Sequence, residues 1–436
     1  MWLLYQTALL LALAIAAPIL LLGRGPRYRS TLRGRLGRRL PEVGGDAPLW
    51  IHAVSVGEVT VAATVIRALP ADLPVVLTTV TPTGQARARQ LLGERCALGY
   101  LPFDLSFAVE RFLDRIAPRG LVLVEGELWP LLLRELGRRR IPVRMINGRV
   151  SDRSYARMRR LRPLLGPLLA VLHRGVELFG VQTEGDRERL ASLGVGADRL
   201  TVTGNLKFEI GLPRELPEVE RLLLDAAAGR PVLVAGSTMP GEEARVLAAW
   251  RAVGARGRAA LLLLAPRHPE RSSSVVEQAA RAGVLVARRS ELPHALGGER
   301  VDVVVLDTLG ELASLYRIAI AAFIGGTLVA TGGHNPLEAS VHGVPVAVGP
   351  SMENFREMAD TFDRAGAWRR VADAGELAAA WSEWLDHPDR ARELGEKGRA
   401  LIEANRGALA RTLELVAPLL PPRGPGDELG TAERTV

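Results

Sequence analysis

Short apolar runs rich in Val, Ile and Leu recur along the chain, each followed by a stretch with helical spacing. That alternation predicts parallel strands joined by crossover helices. In the first half the runs are "PLWIHAV" (48–54), "PVVLTTVT" (74–81), "GLVLVEGE" (120–127), "PVRMING" (142–148), "VELFGVQT" (176–183) and "LTVTGN" (200–205). The polar, proline-containing "FEIGLPRELPEVE" (208–220) interrupts them. They restart with "PVLVAGST" (231–238), "AALLLLAPR" (259–267), "GVLVARR" (283–289), "VDVVVLDT" (301–308), "IAIAAFIGG" (318–326) and "VPVAVGP" (344–350). The expected fold class is α/β, with two Rossmann-like doubly wound domains, one over 48–207 and one over 231–420. A linker over 208–230 joins them, and a disordered tail follows over 421–436. In such sheets ligands bind beyond the carboxyl ends of the strands, and with two domains the cleft between them is the expected place.

The amino-terminal segment breaks the alternation. Residues 1–22 carry no charge, and as a helix they would be roughly 33 Å long, enough to cross the apolar part of a bilayer. Over the basic segment 23–47 seven arginines follow (24, 27, 29, 33, 35, 38, 39), ahead of the first acidic residue, Glu42. A cleavable secretory signal has its positive charges before the apolar stretch, and here there are none. The positive-inside rule keeps the arginine side, and all that follows, in the cytoplasm. The expectation is an uncleaved transmembrane anchor, with a helix lying in the interface as the alternative. The arginines also suit anionic lipid heads.

Charge and cysteine content change the picture little beyond this. The formal net charge is +8, but the seven arginines account for nearly all of it, so no nucleic acid partner is indicated. A single cysteine, Cys96, excludes a disulfide framework and a multi-thiolate metal site.

Chemistry concentrates directly after the strands. Glu58 follows the first; Glu125 and Glu127 end "LVLVEGELWP"; Lys207 follows "LTVTGN"; Arg267 and His268 end "LLLLAPRHPER"; Glu311 follows "VVVLDTLGE". Glu58 is either a helix N-terminal acid that complements the dipole or a functional acid. In both cases the dipole is expected to keep it ionised. Glu125, beside an apolar strand and Trp129, needs a partner, and Lys207 is either that partner or a surface lysine. Arg267, with His268 and Arg271, is either a solvated helix start or a phosphate contact. In "GGTLVATGGHNPLEA" (325–339) the glycines Gly325, Gly326, Gly332 and Gly333 predict an amide-lined anion site. Asn335 would cap a helix there, with Pro336 as its first residue. Glu338, one turn in, could accept from a pair of ribose hydroxyls. The stretch is not a P-loop, and no G-x-G-x-x-G fingerprint stands nearby.

Eight stretches together, "HAVSVGEV" (52–59), "EGELWP" (125–130), "NGRVSDRS" (147–154), "GNLKFE" (204–209), "GSTMPGEE" (236–243), "APRHPER" (265–271), "DTLGEL" (307–312) and "GGHNPLEA" (332–339), resemble the bacterial Kdo transferases. These are 3-deoxy-D-manno-octulosonic acid (Kdo) transferases of lipopolysaccharide assembly, with the two-domain GT-B glycosyltransferase fold facing a cleft. Two departures are visible: Gly126 stands where the family usually has threonine, and Met239 where it often has histidine. Both neighbour motif acids without replacing them.

The resemblance implies inverting transfer from a CMP-Kdo donor to the lipid A precursor lipid IVA. By similarity Glu58 is the general base, and Glu125 and Lys207 stabilise the transition state. It implies that CMP is held by Pro266, Arg267, Leu309, Gly310, Glu311, Asn335, Pro336, Leu337 and Glu338. No metal or other cofactor is expected, and no D-x-D stands at a strand end. A second arginine group (149, 153, 157, 159, 160, 162) before "PLLGPLLAVL" (163–172) reads as a membrane or lipid A phosphate surface, or as a solvated helix face. The alternatives are another membrane-associated GT-B transferase using a UDP-sugar, or a noncatalytic nucleotide-sugar sensor.

Overall fold

Every apolar run named above becomes a strand of one of two parallel sheets in the computed structural model, which describes residues 5–7, 9–11, 31–38, 40–45, 47–210, 213–292 and 300–421. The first sheet holds β1 (Leu49–His52), β2 (Val75–Thr79), β3 (Ala97–Tyr100), β4 (Gly120–Val124), β5 (Val143–Gly148), β6 (Leu178–Val181) and β7 (Leu200–Val202). Their order is β3-β2-β1-β4-β5-β6-β7. The second holds β8 (Val232–Thr238), β9 (Leu261–Pro266), β10 (Val286–Arg288), β11 (Val303–Val305), β12 (Ala321–Ile324), β13 (Val346–Val348) and β14 (Arg369–Arg370). Their order is β10-β11-β9-β8-β12-β13-β14.

Alternation explains why these strands are apolar at most positions on both faces. Leu49 and Ile51 face one core of the first unit while Trp50 faces the other, and Val122 and Val124 divide from Leu121 and Leu123 in the same way. Both faces are covered by helices, so apolar side chains dominate on both sides, and polar ones buried in the strands, such as His52, Thr78 and Asn147, are hydrogen-bonded. Two strands escape the pattern. β3 and β14 are edge strands, the first only partly buried and containing Gly99, the second two exposed arginines. A one-sided, short edge strand has little apolar content to detect.

The strand order of each sheet turns back near its middle. In the first it does so between β1 and β4, which lie side by side, and in the second between β8 and β12. Crevices at the carboxyl ends of such strand pairs are where open α/β sheets take ligands.

The unit boundaries differ from those expected. The first unit runs to Glu209 and takes in the chain again from Gly407, while the second is Ile210–Arg406. Residues 208–230 are not an independent linker, because Pro217–Ala227 is a helix of the second unit. The expected domain end at 420 is corrected too. Helix Ala408–Val416 and Leu419 lay Ala408, Leu415, Val416 and Leu419 into the core beneath helix Val56–Ala68. Arg411 Nε donates to the Thr203 carbonyl at 3.0 Å, and the Leu409 amide donates to Glu209 at 3.1 Å. An apolar stripe this late in the chain needs a covered face, and the first sheet supplies it.

Most of segment 1–22, and the tail from 422, lie outside the described residues. Among the described residues no helix is long and apolar enough to cross a membrane. Tyr5 is described, and its hydroxyl donates to Asp104 at 2.9 Å within the first unit.

Candidate active site

The turn after β1 leads into helix Val56–Ala68. Ser55 is its N-cap, accepting from the Glu58 amide at 3.3 Å, and the Glu58 carboxylate accepts in return from the Val54 amide at 2.8 Å. This is a near relative of the capping box. Glu58 is thus a helix N-terminal acid, yet the expectation that the dipole keeps it ionised is corrected. Burial raises its carboxyl from 4.5 to about 7, outweighing the Val54 hydrogen bond, and the neighbouring charges of Glu125 and Glu127 push the same way. Desolvation of a carboxylate with two acids nearby wins over a dipole.

Glu125 follows β4, across the reversal of the sheet. Its φ is +69°, left-handed for a residue with a side chain, and Gly126 follows at +155°. Hydrogen bonds hold this conformation: the Glu125 amide donates to the Ile146 carbonyl at 3.0 Å, and the Arg149 amide donates to the Glu125 carbonyl at 3.3 Å. Backbone strain of this sort persists where the surroundings over-determine it. The carboxylate is aimed at Lys207, whose ammonium lies 2.6 Å away, each side chain less than one-fifth exposed. A Cβ added to Gly57 would stand 3.7 Å from the same ammonium, so Lys207 lies over the first turn of the helix that carries Glu58. The three residues singled out in the first half of the sequence therefore meet at one crevice.

Asn147 organises that meeting and was not singled out in the sequence. It is fully buried at the end of β5 with φ +53°. Its Nδ2 donates to Glu125 at 3.3 Å and its Oδ1 accepts from the Leu206 amide at 2.9 Å, while Gln182 donates to its carbonyl at 3.1 Å. It stood inside "NGRVSDRS", but nothing distinguished a buried polar hub from a turn residue.

In the second unit Pro266 ends β9, and the Arg267 amide donates to the Thr238 carbonyl at 2.9 Å. Arg267, Asn335 and Glu338 come together. Burial raises the Glu338 carboxyl above the ordinary carboxylate range, opposed by the Arg267 charge and a hydrogen bond with Asn335. Burial lowers His334 to about 4, helped by the charges of Arg267 and His268. Glu311 is engaged within the unit: Arg289 contacts one carboxylate oxygen at 2.8 Å and Thr308 donates to the other at 2.6 Å. Leu309, 82% exposed beside Gly310, presents an open apolar side chain.

Two expectations about the glycine stretch are corrected. The helix is only Leu337–Ser340, with Pro336 at its cap and Asn335 accepting from the Leu337 amide at 3.1 Å. Leu337 is buried, so it has only backbone to offer a ligand. The amides expected to await an anion are already taken. Those of Gly326, Thr327 and Leu328 donate to the carboxylate of Glu242 at 2.6, 3.0 and 2.8 Å. The amide of Gly332 donates to Ser351 and that of Gly333 to the Gly326 carbonyl. Buried donors this dense must be paired, and the chain supplies its own acceptors.

The second arginine group lies on and just before helix Asp152–Arg174, with Arg149, Arg153, Arg157, Arg159, Arg160 and Arg162 exposed. Arg159 and Arg162 border a groove of about 620 Å³ with Gly166, Ala170, Leu193 and Gly194.

Residues 30–210 match the family model described as 3-Deoxy-D-manno-octulosonic-acid transferase (kdotransferase). A Haemophilus influenzae protein named 3-deoxy-D-manno-octulosonic acid transferase is 35% identical, over 96% of this chain and 99% of its own. A Bordetella pertussis protein of the same name is 38% identical, over 87% of this chain and 89% of its own. Among solved structures, the C-terminal CMP-Kdo binding domain of WaaA from Acinetobacter baumannii is 28% identical, covering 43% of this chain and 97% of that one, with a TM-score of 0.39.

Proposed function

Because this chain belongs to the 3-deoxy-D-manno-octulosonic acid transferase family and is a glycosyltransferase, we propose that it moves Kdo from CMP-Kdo to a lipid A precursor, lipid IVA, with inversion and with Glu58 as general base. The observation that carries the reading is the raised carboxyl of Glu58, at about 7, beside the Lys207–Glu125 pair. A base is most effective with a pKa near the working pH.

The acceptor hydroxyl oxygen attacks the anomeric carbon from the face opposite CMP and loses its proton to Glu58. The bond between sugar and phosphate breaks, its electron pair leaving with CMP. Positive charge develops on the sugar, which the Glu125 carboxylate stabilises, and Lys207 answers the negative charge of the departing phosphate or of the sugar carboxylate. On the donor side Arg267 meets the phosphate and Asn335 and Glu338 the ribose. Pro266, Leu309, Gly310, Glu311, Pro336 and Leu337 complete the nucleotide contacts. Cationic side chains serve in place of a metal.

An amphipathic acceptor suits membrane attachment through the amino-terminal segment and the arginine groups, with the folded units on the cytoplasmic side of an inner membrane and anionic lipids as partners. The Tyr5–Asp104 hydrogen bond supports an interfacial lie of that segment over a crossing. In a crossing segment with its arginines inside, Tyr5 would stand on the far side of the bilayer from the unit that carries Asp104.

Protection from thermal unfolding by CMP but not by UDP tests the donor. Protection by UDP alone would favour a UDP-sugar transferase. Glu58→Gln should abolish transfer while CMP binding is retained, and persistent turnover would remove Glu58 as the base.

A further inference from the structure

Glu242 is fully buried, in the loop after β8, and its carboxylate gathers backbone amides from two segments. One oxygen accepts from Thr327 and Leu328 at 3.0 and 2.8 Å; the other accepts from Gly326 and Met239 at 2.6 and 2.9 Å. Convergent amides of this kind form an anion pocket, and here the pocket lies where the second sheet reverses, between the ends of β8 and β12. That is the position a bound anion would take in such a sheet. The chain has filled it with its own carboxylate.

The loop so held leads to the candidate donor residues. The Gly326 carbonyl accepts from the Gly333 amide at 2.8 Å and from the Thr331 hydroxyl at 3.0 Å, closing the turn that precedes His334–Glu338. A Cβ on Gly326 would come within 2.9 Å of the His334 ring, so that ring packs directly on the pinned glycine. The adjacent acid ties down the other donor loop. Glu243, 1% exposed, accepts from Arg271 at 2.8 Å and from Thr238 at 3.1 Å, fixing the turn just after Arg267.

We propose that Glu242 is a positioning residue of the donor half: a built-in anion that occupies the amide pocket, fixes the loop leading to Asn335 and Glu338, and leaves the donor's phosphate to side chains such as Arg267. The proposal rests on the CMP-sugar reading above. It gives the "GEE" of "GSTMPGEE" a role that its sequence does not reveal.

The test uses the full chain, Glu242→Ala and Glu242→Gln, with CMP binding measured by calorimetry and unfolding followed in formate and in chloride. Glu242→Ala vacates the pocket, so its CMP affinity should fall about tenfold or more. Formate, a carboxylate of the right size, should raise its midpoint of unfolding above that in chloride and restore part of the CMP affinity, with no such effect on the unsubstituted protein. In transfer assays KM for the CMP-sugar should rise while KM for the acceptor stays. Should the alanine variant fold only in formate, the pocket is confirmed as an anion site. Glu242→Gln then reports on the donor, since its amide group offers one acceptor for four donors. CMP affinity within twofold of the unsubstituted protein in either folded variant, or a formate effect equal in both proteins, overturns the proposal. Failure of the unsubstituted protein to bind CMP overturns the donor reading itself, and this inference with it.

Discussion

The Lys207 ammonium lies 2.6 Å from the Glu125 carboxylate, joining the short turn Leu206–Phe208 beyond β7 to the end of β4. Two strands of the first sheet, β5 and β6, separate the two attachment points, so only the folded sheet brings the pair together. Both charges are largely screened from water, and each depends on the other. Lys207→Met should lower kcat by about 100-fold or more, as loss of a group aimed at developing charge does. It should also cost roughly 1 kcal/mol of stability, read by urea denaturation, because a partly buried carboxylate is left without its cation.

Glu58 couples activity to stability through its proton. Its folded pKa of about 7 lies above its ordinary 4.5, so the folded protein binds that proton more tightly. The stability this provides is fully present below pH 4.5 and is lost as the pH rises through about 7. Glu58→Gln, which cannot ionise, should therefore be more stable than the unsubstituted protein at pH 8, by roughly 2 kcal/mol, and equally stable at pH 4. Thermal unfolding at both pH values checks this.

The same titration appears in the rate. With Glu58 as the base, kcat/KM should rise with pH along a limb centred near 7. A rate independent of pH between 6 and 8 would count against the assignment.

Asn147 bridges Glu125 to the Leu206 amide from a fully buried position. Asn147→Ala loses both hydrogen bonds and forces a Cβ-bearing residue without a local polar partner into left-handed backbone. It should destabilise the protein by roughly 2–4 kcal/mol in chemical denaturation. Transfer should fall as well, since Lys207 and Glu125 lose a shared support.

The Tyr5–Asp104 bond predicts which side of a membrane the amino terminus occupies. A protease-cleavable amino-terminal tag should be protected in intact spheroplasts and cut in inverted vesicles, where a crossing anchor with its arginines inside would give the reverse. Tyr5→Phe should cost about 1 kcal/mol or less of unfolding free energy, as befits one partly buried hydrogen bond.

Much of this was legible in the order of residues alone. Strands buried on both faces are mostly apolar along their length, so twelve of the fourteen showed themselves, and the two that did not are edges with one polar or open side. Chemistry placed directly after strands could be found because parallel sheets open their carboxyl ends to ligands, and Glu58, Glu125 and Lys207 do meet there. The sequence could not weigh one local force against a distant one. A helix dipole is visible beside Glu58, whereas the burial that overrides it depends on packing from across the sheet. Glycines announce free amides, but that Glu242, some 84 residues earlier, accepts their hydrogen bonds is decided by the pairing of β8 with β12. Helix Ala408–Val416 likewise follows the second unit in the chain and belongs with the first, because the uncovered apolar face it fits was made by residues hundreds of positions before it. Local propensity and alternation are written in neighbours; partners of buried charges and buried stripes are chosen by topology.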